Sequence, residues 1–497
     1  MAYAVGIDLG SSSVKLSLVD GSGRLVGSAE RGYRVSFPRE GWAEIDPELW
    51  WDATVDALAE LLAGEGAEGP VAAGVEAIAV TGQMHTTVFV DAAGQSVRPA
   101  IMWSDTRTAA MVAPAKIALA GVGERYLAQI VSTGSPALNL AWLHANEPEA
   151  FERMQGFLIG PDWIVFKLCG ARGTDFCEAS TSSLYDLERG CWSQMARSIF
   201  DLSESIYPEV RGSAQVAGAV VPEVAGRLGL HAGVPVLVGT GDNPAAAIPT
   251  GCLTQGRPVL SLGTSGVLMC TRPAPDFEAK GKNILLSLDG QEVFTLVQGA
   301  VQSCGSSRAW WDIDILQLSS HDEGDAGIDM DALGCNPVMF YPHLVGEKTI
   351  YADPALRGAF VGLSIDTTRA QMSQALMEGI AFGVRQLAHE MGLELRSLDE
   401  LQVIGGGSRS ATWMQILADV LGVRTLQMQG EASAGYGMAL LALSAATGQG
   451  LGALCEGATT VGRAFEVEPR AAARYDAQYR RYLRIHDALK TIDDELA

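Results

Sequence analysis

The sequence predicts an α/β fold in which one plan is used twice along 497 residues. Two turns, Asp8-Leu9-Gly10-Ser11-Ser12-Ser13 and Gly263-Thr264-Ser265-Gly266, each join a pair of apolar, strand-like runs. In each half a helical stretch follows, then a further apolar run that stops at glycine. These runs are Ala77-Ile78-Ala79-Val80 before Thr81-Gly82, and Leu401-Gln402-Val403-Ile404 before Gly405-Gly406-Gly407. Hydrophobic residues make up 48% of the chain and charged residues 19%, which allows large cores and excludes general disorder. Two mixed-sheet domains facing each other would set both turns across one cleft. The join is placed at about residue 245, giving domains 1–245 and 246–497.

Taken in order, Ala4-Val5-Gly6-Ile7 reads as a buried strand. Val14 to Val19 alternates apolar and polar side chains, and Arg24 to Gly27 returns after the turn Asp20-Gly21-Ser22-Gly23. Trp50, Val55, Leu58, Leu61 and Leu62 recur at helical spacing. In the second half Pro258-Val259-Leu260-Ser261-Leu262 leads into the turn and Val267-Leu268-Met269-Cys270 leaves it. A long helix is predicted from Ala370 to about Gly392, and another over Ala411–Leu421. Tyr475, Tyr479, Tyr482, Ile485 and Leu489 predict one helix, from Ala471 to Leu489, packed on the body.

The charge balance narrows the partners. Lys+Arg 35 against Asp+Glu 58 gives −23, a surface that repels nucleic-acid backbones and anionic lipid. No nucleic acid and no membrane is therefore expected. No apolar run approaches the ~18 residues needed to span a bilayer. The N-terminus lacks a basic region and Asp8 interrupts its apolar stretch, so it is not read as a signal peptide. Eight cysteines form no CxxC and no Cys/His ligand spacing, which excludes structural zinc and leaves reduced, buried thiols. A cytoplasmic protein handling a small substrate is expected. His321-Asp322-Glu323-Gly324-Asp325 lacks the EF-hand register and reads as a solvated loop.

Ser11, Ser12 and Ser13, with Gly10 and the cation Lys15, can cradle phosphate oxygens in a turn. Asp8 would repel phosphate unless it holds Mg²⁺ against it, directly or through water. An ordinary Gly-Ser β-turn is the alternative; the matching turn at Thr264 favours a grip on one polyphosphate from both sides. Gly239-Thr240-Gly241-Asp242-Asn243-Pro244 has the wrong spacing for a dinucleotide loop, and GxxxxGK[ST] is absent. Asp242 at a strand end suits a general base taking a proton from a hydroxyl that attacks phosphorus, although Asp-Asn-Pro is also a common turn or helix cap. Gln83-Met84-His85 can read sugar hydroxyls, while a lone histidine is more often structural. Asp105 and Arg107 in Trp103-Ser104-Asp105-Thr106-Arg107 are a pair that is usually structural. Gly405-Gly406-Gly407 permits close approach by a flat ligand such as adenine, or simply enters the next helix.

With these residues assembled, the chain resembles the FGGY family of carbohydrate kinases over essentially its whole length. The resemblance rests on Gly6-Ile7-Asp8-Leu9-Gly10-Ser11-Ser12, Gly82-Gln83-Met84-His85, Trp103-Ser104-Asp105-Thr106-Arg107, Gly241-Asp242-Asn243, Leu262-Gly263-Thr264-Ser265-Gly266 and Gly405-Gly406-Gly407-Ser408-Arg409-Ser410. It implies two actin-like ATPase (ribonuclease H-like) domains flanking a central cleft, and ATP-dependent phosphorylation of a sugar hydroxyl. The Gln-Met-His triplet resembles the branch acting on D-xylulose. Ribulose, gluconate, glycerol and other polyols stay open as substrates, as does a homodimer as the assembly.

By the same resemblance Asp242 is the general base and Asp8 works with Mg²⁺. Ser11, Ser12, Ser13, Lys15 and Thr264 hold phosphates, and Gly305, Gly406, Gly407 and Ser410 contact the nucleotide. Met84, His85, Asp105 and Asn243 contact the sugar. Asn139 stands where the family usually has Lys, Ile350 where it has Pro, and Cys177 where Ser is common. A different class, an actin- or chaperone-type ATPase acting on proteins, would leave Met84, His85 and Asn243 without a task. A non-catalytic sugar-binding regulator would not need Asp8 and Asp242.

Overall fold

Alternation along the first strand explains how the two halves meet. In the computed structural model, which describes residues 2–66 and 69–496, β1 (Tyr3–Leu9) pairs antiparallel with β2 (Ser13–Asp20), and β2 with β3 (Leu25–Gly32). Asp46 caps α1 (Pro47–Leu62), whose Trp50, Val55, Leu58 and Leu61 are buried with Val5, Ile7 and Leu9 of β1. β4 (Val75–Gly82) runs parallel to β1 and adds Ile78 and Val80 to that core. Along most of its length the opposite face of the same strands carries Ala4, Gly6, Ala77 and Ala79, small residues that admit a helix at close range. Asp8 lies in register with them at the strand's end, across from Lys15 and Thr81.

Further along the first half come α2 (Phe176–Thr181), β5 (Val216–Ala219), β6 (Pro235–Leu237), β7 (Thr240–Gly241) and α3 (Asp242–Ala247). The sheet order is β5-β6-β4-β1-β2-β3, and β7 pairs with the end of β4. Gly239 turns the chain between β6 and β7 at φ 81°, where a Cβ would lie 1.9 Å from the Val80 carbonyl oxygen. The join expected at about 245 falls inside α3.

The second half repeats the arrangement. β8 (Val259–Leu262) pairs antiparallel with β9 (Gly266–Arg272), and β10 (Lys282–Leu286) and β11 (Phe294–Val301) extend the meander. After α4 (Gly305–Ala309) and the long α5 (Arg369–Glu390), β12 (Leu401–Ile404) lies parallel to β8, as β4 does to β1. α6 (Ala411–Leu421), β13 (Thr425–Gly430), α7 (Ala434–Thr447) and β14 (Thr459–Phe465) follow. The order is β10-β11-β9-β8-β12-β13-β14. α7 crosses to the first half: its Gly435 carbonyl sits where a Gly6 Cβ would be, and Gly437 abuts the Ala245 carbonyl of α3. A shared core joins the halves there, with Ala4, Ala77 and Ala79 against Met438, Ala439 and Ala442.

Three expectations are corrected. The C-terminal stretch is two helices, α8 (Pro469–Tyr482) and α9 (Ile485–Leu496), because His486 turns aside to stack on Tyr351 at 3.7 Å and meet the Tyr341 hydroxyl at 2.9 Å. Residues 321–325 form a short helix rather than a loop; His321, Asp322 and Glu323 stay exposed, while Asp325 accepts from the Arg308 guanidinium at 2.5 Å and from Ser410 Oγ at 2.7 Å. Not all cysteines are buried, since Cys191 and Cys335 are exposed; none of those described is in a disulfide. Among the described residues no helix is long and apolar enough to cross a membrane.

Candidate active site

Parallel strands that end side by side create a crevice at their carboxyl ends. β1, β4 and β7 end together here, with Leu9 opposite Gly82 and Gly82 opposite Gly241. Asp8, the Gln83-Met84-His85 segment and Asp242 emerge at this edge. Gly82 and Gly241 are required by the crowding: a Cβ on Gly82 would lie 2.6 Å from the Leu9 carbonyl oxygen. One on Gly241 would lie 2.7 Å from Met84 Cγ and 2.9 Å from Cys177 Sγ.

The two carboxylates flank the end of β4 and interact through their charges. Burial pushes Asp8 up to about 6, Asp242's charge adds to that, and Lys15 opposes it. Burial likewise pushes Asp242 up to about 6, against the Asn243 N–H (2.7 Å to Oδ1) and the charge of Lys282. Asp242 opens α3, and a helix start favours a carboxylate there. Asn243 is exposed and its Nδ2 lies 3.6 Å from Met84 Sδ, which places both at one spot beside Asp242. His85 holds a left-handed backbone at φ 71°. Its Nε2 lies 3.0 Å from Lys282 Nζ, and burial followed by that cation keeps the imidazole neutral.

Gln83 serves the other turn. It is buried, and its Nε2 donates to the Gly10 carbonyl at 3.3 Å, so it supports the serine turn and does not read sugar. Within that turn Gly10 N–H donates to the Ser13 carbonyl at 3.0 Å and Trp103 Nε1 donates to Ser11 Oγ at 2.9 Å. Ser12 is exposed, Ser13 Oγ donates to Glu30 at 2.7 Å, and Lys15 faces the same carboxylate at 3.9 Å. In the second half Thr264 is exposed on its turn, and its carbonyl accepts from Ser306 N–H at 3.1 Å. Gly305 is fixed by the Gly263 carbonyl, 2.4 Å from where a Cβ would be.

A cavity of ≈ 600 Å³ beside β12 and β13 is lined by Gly405, Gly406, Arg409, Gln427, Gln429 and Ser433. Gly406 has open space where a side chain would be, as a planar ligand requires. Gly407 is constrained differently, by the Trp413 ring and Leu262. Ser410 Oγ is engaged within the fold, capping α6 at Trp413 N–H (3.0 Å) and donating to Asp325.

Asp105 departs from the expected sugar contact. It is 1% exposed, and both oxygens are engaged: Oδ2 accepts from Ala43 N–H (2.6 Å) and Arg107 Nη2 (2.7 Å), Oδ1 from Arg107 N–H (2.8 Å) and Nε (2.9 Å). Arg107 in turn lies over Trp42, 3.8 Å from the ring centre. Asp105 therefore shapes the loop that carries Trp103. The sequence reading missed Lys282 and Glu178. Glu178 is buried, with Oε1 lacking a partner. Burial first, then Asp175, Asp162 and Asp242, push it well above the usual carboxylate range. No local motif marks either residue; they reach the site from α2 and from the edge strand of the other half.

Sequence models of the two halves of one enzyme family decide the relationship. The model described as FGGY family of carbohydrate kinases, N-terminal domain, matches residues 3–249, and its C-terminal-domain counterpart matches residues 259–446. The chain belongs to the FGGY family of carbohydrate kinases. Its halves are the paired actin-like, ribonuclease-H-like domains of FGGY kinases. A xylulose kinase of Staphylococcus xylosus is 31% identical over 450 residues, covering 89% of this chain and 90% of the relative. A xylulose kinase of Lactococcus lactis is 30% identical over 510 residues, covering 100% and 99%. A solved structure from Brucella ovis, described as a xyloylose kinase, is similar with TM-score 0.88 and 31% identity over 99% of this chain and 100% of that one. A glycerol kinase of Deinococcus radiodurans is 29% identical over 456 residues, 88% of each chain.

Proposed function

We propose that this FGGY kinase transfers the γ-phosphoryl group of ATP to the terminal hydroxyl of D-xylulose, in the cytoplasm, giving D-xylulose 5-phosphate and ADP. One observation carries the chemistry: Asp8 and Asp242 stand at strand ends on either side of β4, near enough for Asp242's charge to act on Asp8, with Met84 and Asn243 beside Asp242. Similarity to the two xylulose kinases supports the choice of sugar.

Asp242 accepts the proton of the hydroxyl as that oxygen bonds to the γ-phosphorus. The bond to the β–γ bridging oxygen breaks and ADP leaves with its electrons. Met84, His85 and Asn243 hold the sugar in line. Ser11, Ser12, Ser13, Lys15 and Thr264 take the phosphates, and Gly406 lies under the base, with Gly305, Gly407 and Ser410 supporting that surface. Among the described residues no three acidic, His or Cys side chains gather as a complete metal site. Asp8, within the influence of Asp242's charge, fits Mg²⁺ all the same, because this ion takes one or two carboxylates and completes its shell with water and phosphate oxygens. When bound, Mg²⁺ supplies neutralising charge to the phosphates.

Only ionised Asp242 can act as the base. kcat/KM is therefore expected to be half-maximal near pH 6, close to full about one unit above it, and to fall by about tenfold per unit below it, as the Asp8–Asp242 pair takes up protons. A pH–rate profile with an acid limb near 4 would contradict this.

The test of substrate is ADP release, coupled to a dehydrogenase readout, across pentuloses, hexuloses, gluconate and polyols including glycerol. D-xylulose is expected to give the highest kcat/KM. A preference for glycerol, ribulose or gluconate would move the enzyme to another branch of the family. ATP hydrolysis indifferent to every sugar would favour the protein-directed ATPase instead.

A further inference from the structure

The cation in the sugar subsite comes from the opposite domain. Lys282 begins β10, the edge strand of the second sheet. That strand is docked on the first half. Leu285 N–H donates to Ser180 Oγ at 3.0 Å, the Tyr126 hydroxyl donates to the Asn283 carbonyl at 2.8 Å, and Asn283 N–H donates to the Tyr126 oxygen at 3.0 Å. At its start Lys282 Nζ lies 3.0 Å from His85 Nε2. The neutral imidazole accepts and the ammonium donates.

Among the described residues His85 is the ammonium's one hydrogen-bond partner, so two of its three N–H donors are open. Asp242, Glu178 and Cys177 stand near enough to act on its charge. Glu178 Oε1, buried and without a partner, is a second unsatisfied polar atom in this corner, and Glu178 Oε2 lies 3.5 Å from the His85 N–H. An open donor set and an unpaired oxygen beside the attacking position call for a ligand rich in hydroxyls.

We propose that Lys282 is a substrate-contact and specificity residue lent by the nucleotide-side domain. Its open N–H donors bind oxygen atoms of the sugar next to the hydroxyl that Asp242 deprotonates. The assignment rests on the kinase reading and deepens it. It makes tight sugar binding depend on β10 being seated, and so on the two domains being brought together.

Lys282→Met and Lys282→Arg, in the full chain, test it by steady-state ADP release with the best ketose of the panel. Lys282→Met is expected to raise the sugar KM by about 10- to 100-fold, the loss of a charged hydrogen bond, with ATP's KM unchanged. Lys282→Arg should recover part of that affinity. Tyr126→Phe, which removes both hydroxyl contacts to Asn283 and loosens β10 without touching the subsite, should raise the sugar KM by a smaller factor than Lys282→Met and leave ATP's KM unchanged. If Lys282→Met does not fold, Lys282→Gln is read in its place. An unchanged sugar KM, or equal rises in the KM of sugar and ATP, overturns the assignment while the kinase reading stands. A wild-type enzyme that phosphorylates no sugar overturns both.

Discussion

Asp242→Asn is expected to lower kcat for sugar phosphorylation by about 10²–10⁴-fold. The change is nearly isosteric. The amide oxygen can still accept from the Asn243 N–H, and α3 still begins at the same residue. The proposed sugar contacts at Met84 and Asn243 are untouched, so KM for sugar and ATP should change little. Stability should hold or rise, because a buried carboxylate that Asp8 repels has been neutralised. Single-turnover measurement of ADP formation separates the chemical step from product release. A loss smaller than tenfold would place the base elsewhere.

Gly6→Ala should have the largest effect on stability. A glycine in a strand normally gains about 0.4–1 kcal/mol on becoming alanine, through the unfolded chain. Here the added Cβ would lie 1.9 Å from the Gly435 carbonyl oxygen and 2.5 Å from the Ala439 nitrogen, both backbone atoms of α7. Neither can rotate away, so the helix must lift off β1 and β4. The cost, at about 3 kcal/mol or more, outweighs the entropic gain. Gly27→Ala is the control: its Cβ is tight only against Leu61 Cδ1 at 3.2 Å, the end of a side chain that can move, and meets Leu18 Cδ2 and Cβ at an ordinary 3.6 and 3.7 Å. Urea unfolding of both variants checks the contrast, and similar midpoints would refute it.

Strands and helices were legible wherever packing follows local period. The Trp50–Leu62 spacing gave α1, and the alternation from Val14 to Val19 gave β2, because each buries one face against its own half. The paired turns disclosed the duplication for the same reason. Features created by distant contacts were not legible. Leu483-Arg484 carries neither Gly nor Pro, yet the helix stops there to bring His486 onto Tyr351. Asp325 reads as solvent-exposed until Arg308 and Ser410 are seen around it. Asp8, Met84, Asn243 and Asp242 could be anticipated because each sits on a strand-end motif. Lys282 could not, because nothing in Lys282-Asn283-Ile284 tells which surface the edge strand will meet.

Glu30 gives the serine turn a resident counter-ion. Ser13 and Lys15 both face the Glu30 carboxylate, and the Lys15 and Glu30 side chains are 62% and 58% exposed. So wet a pairing is worth about 0–1 kcal/mol. In the proposed reaction it would yield readily to a polyanion that brings several oxygens at once, while blunting the attraction for a stray monovalent one. One negative group would then be traded for another, with no need for the turn to change shape.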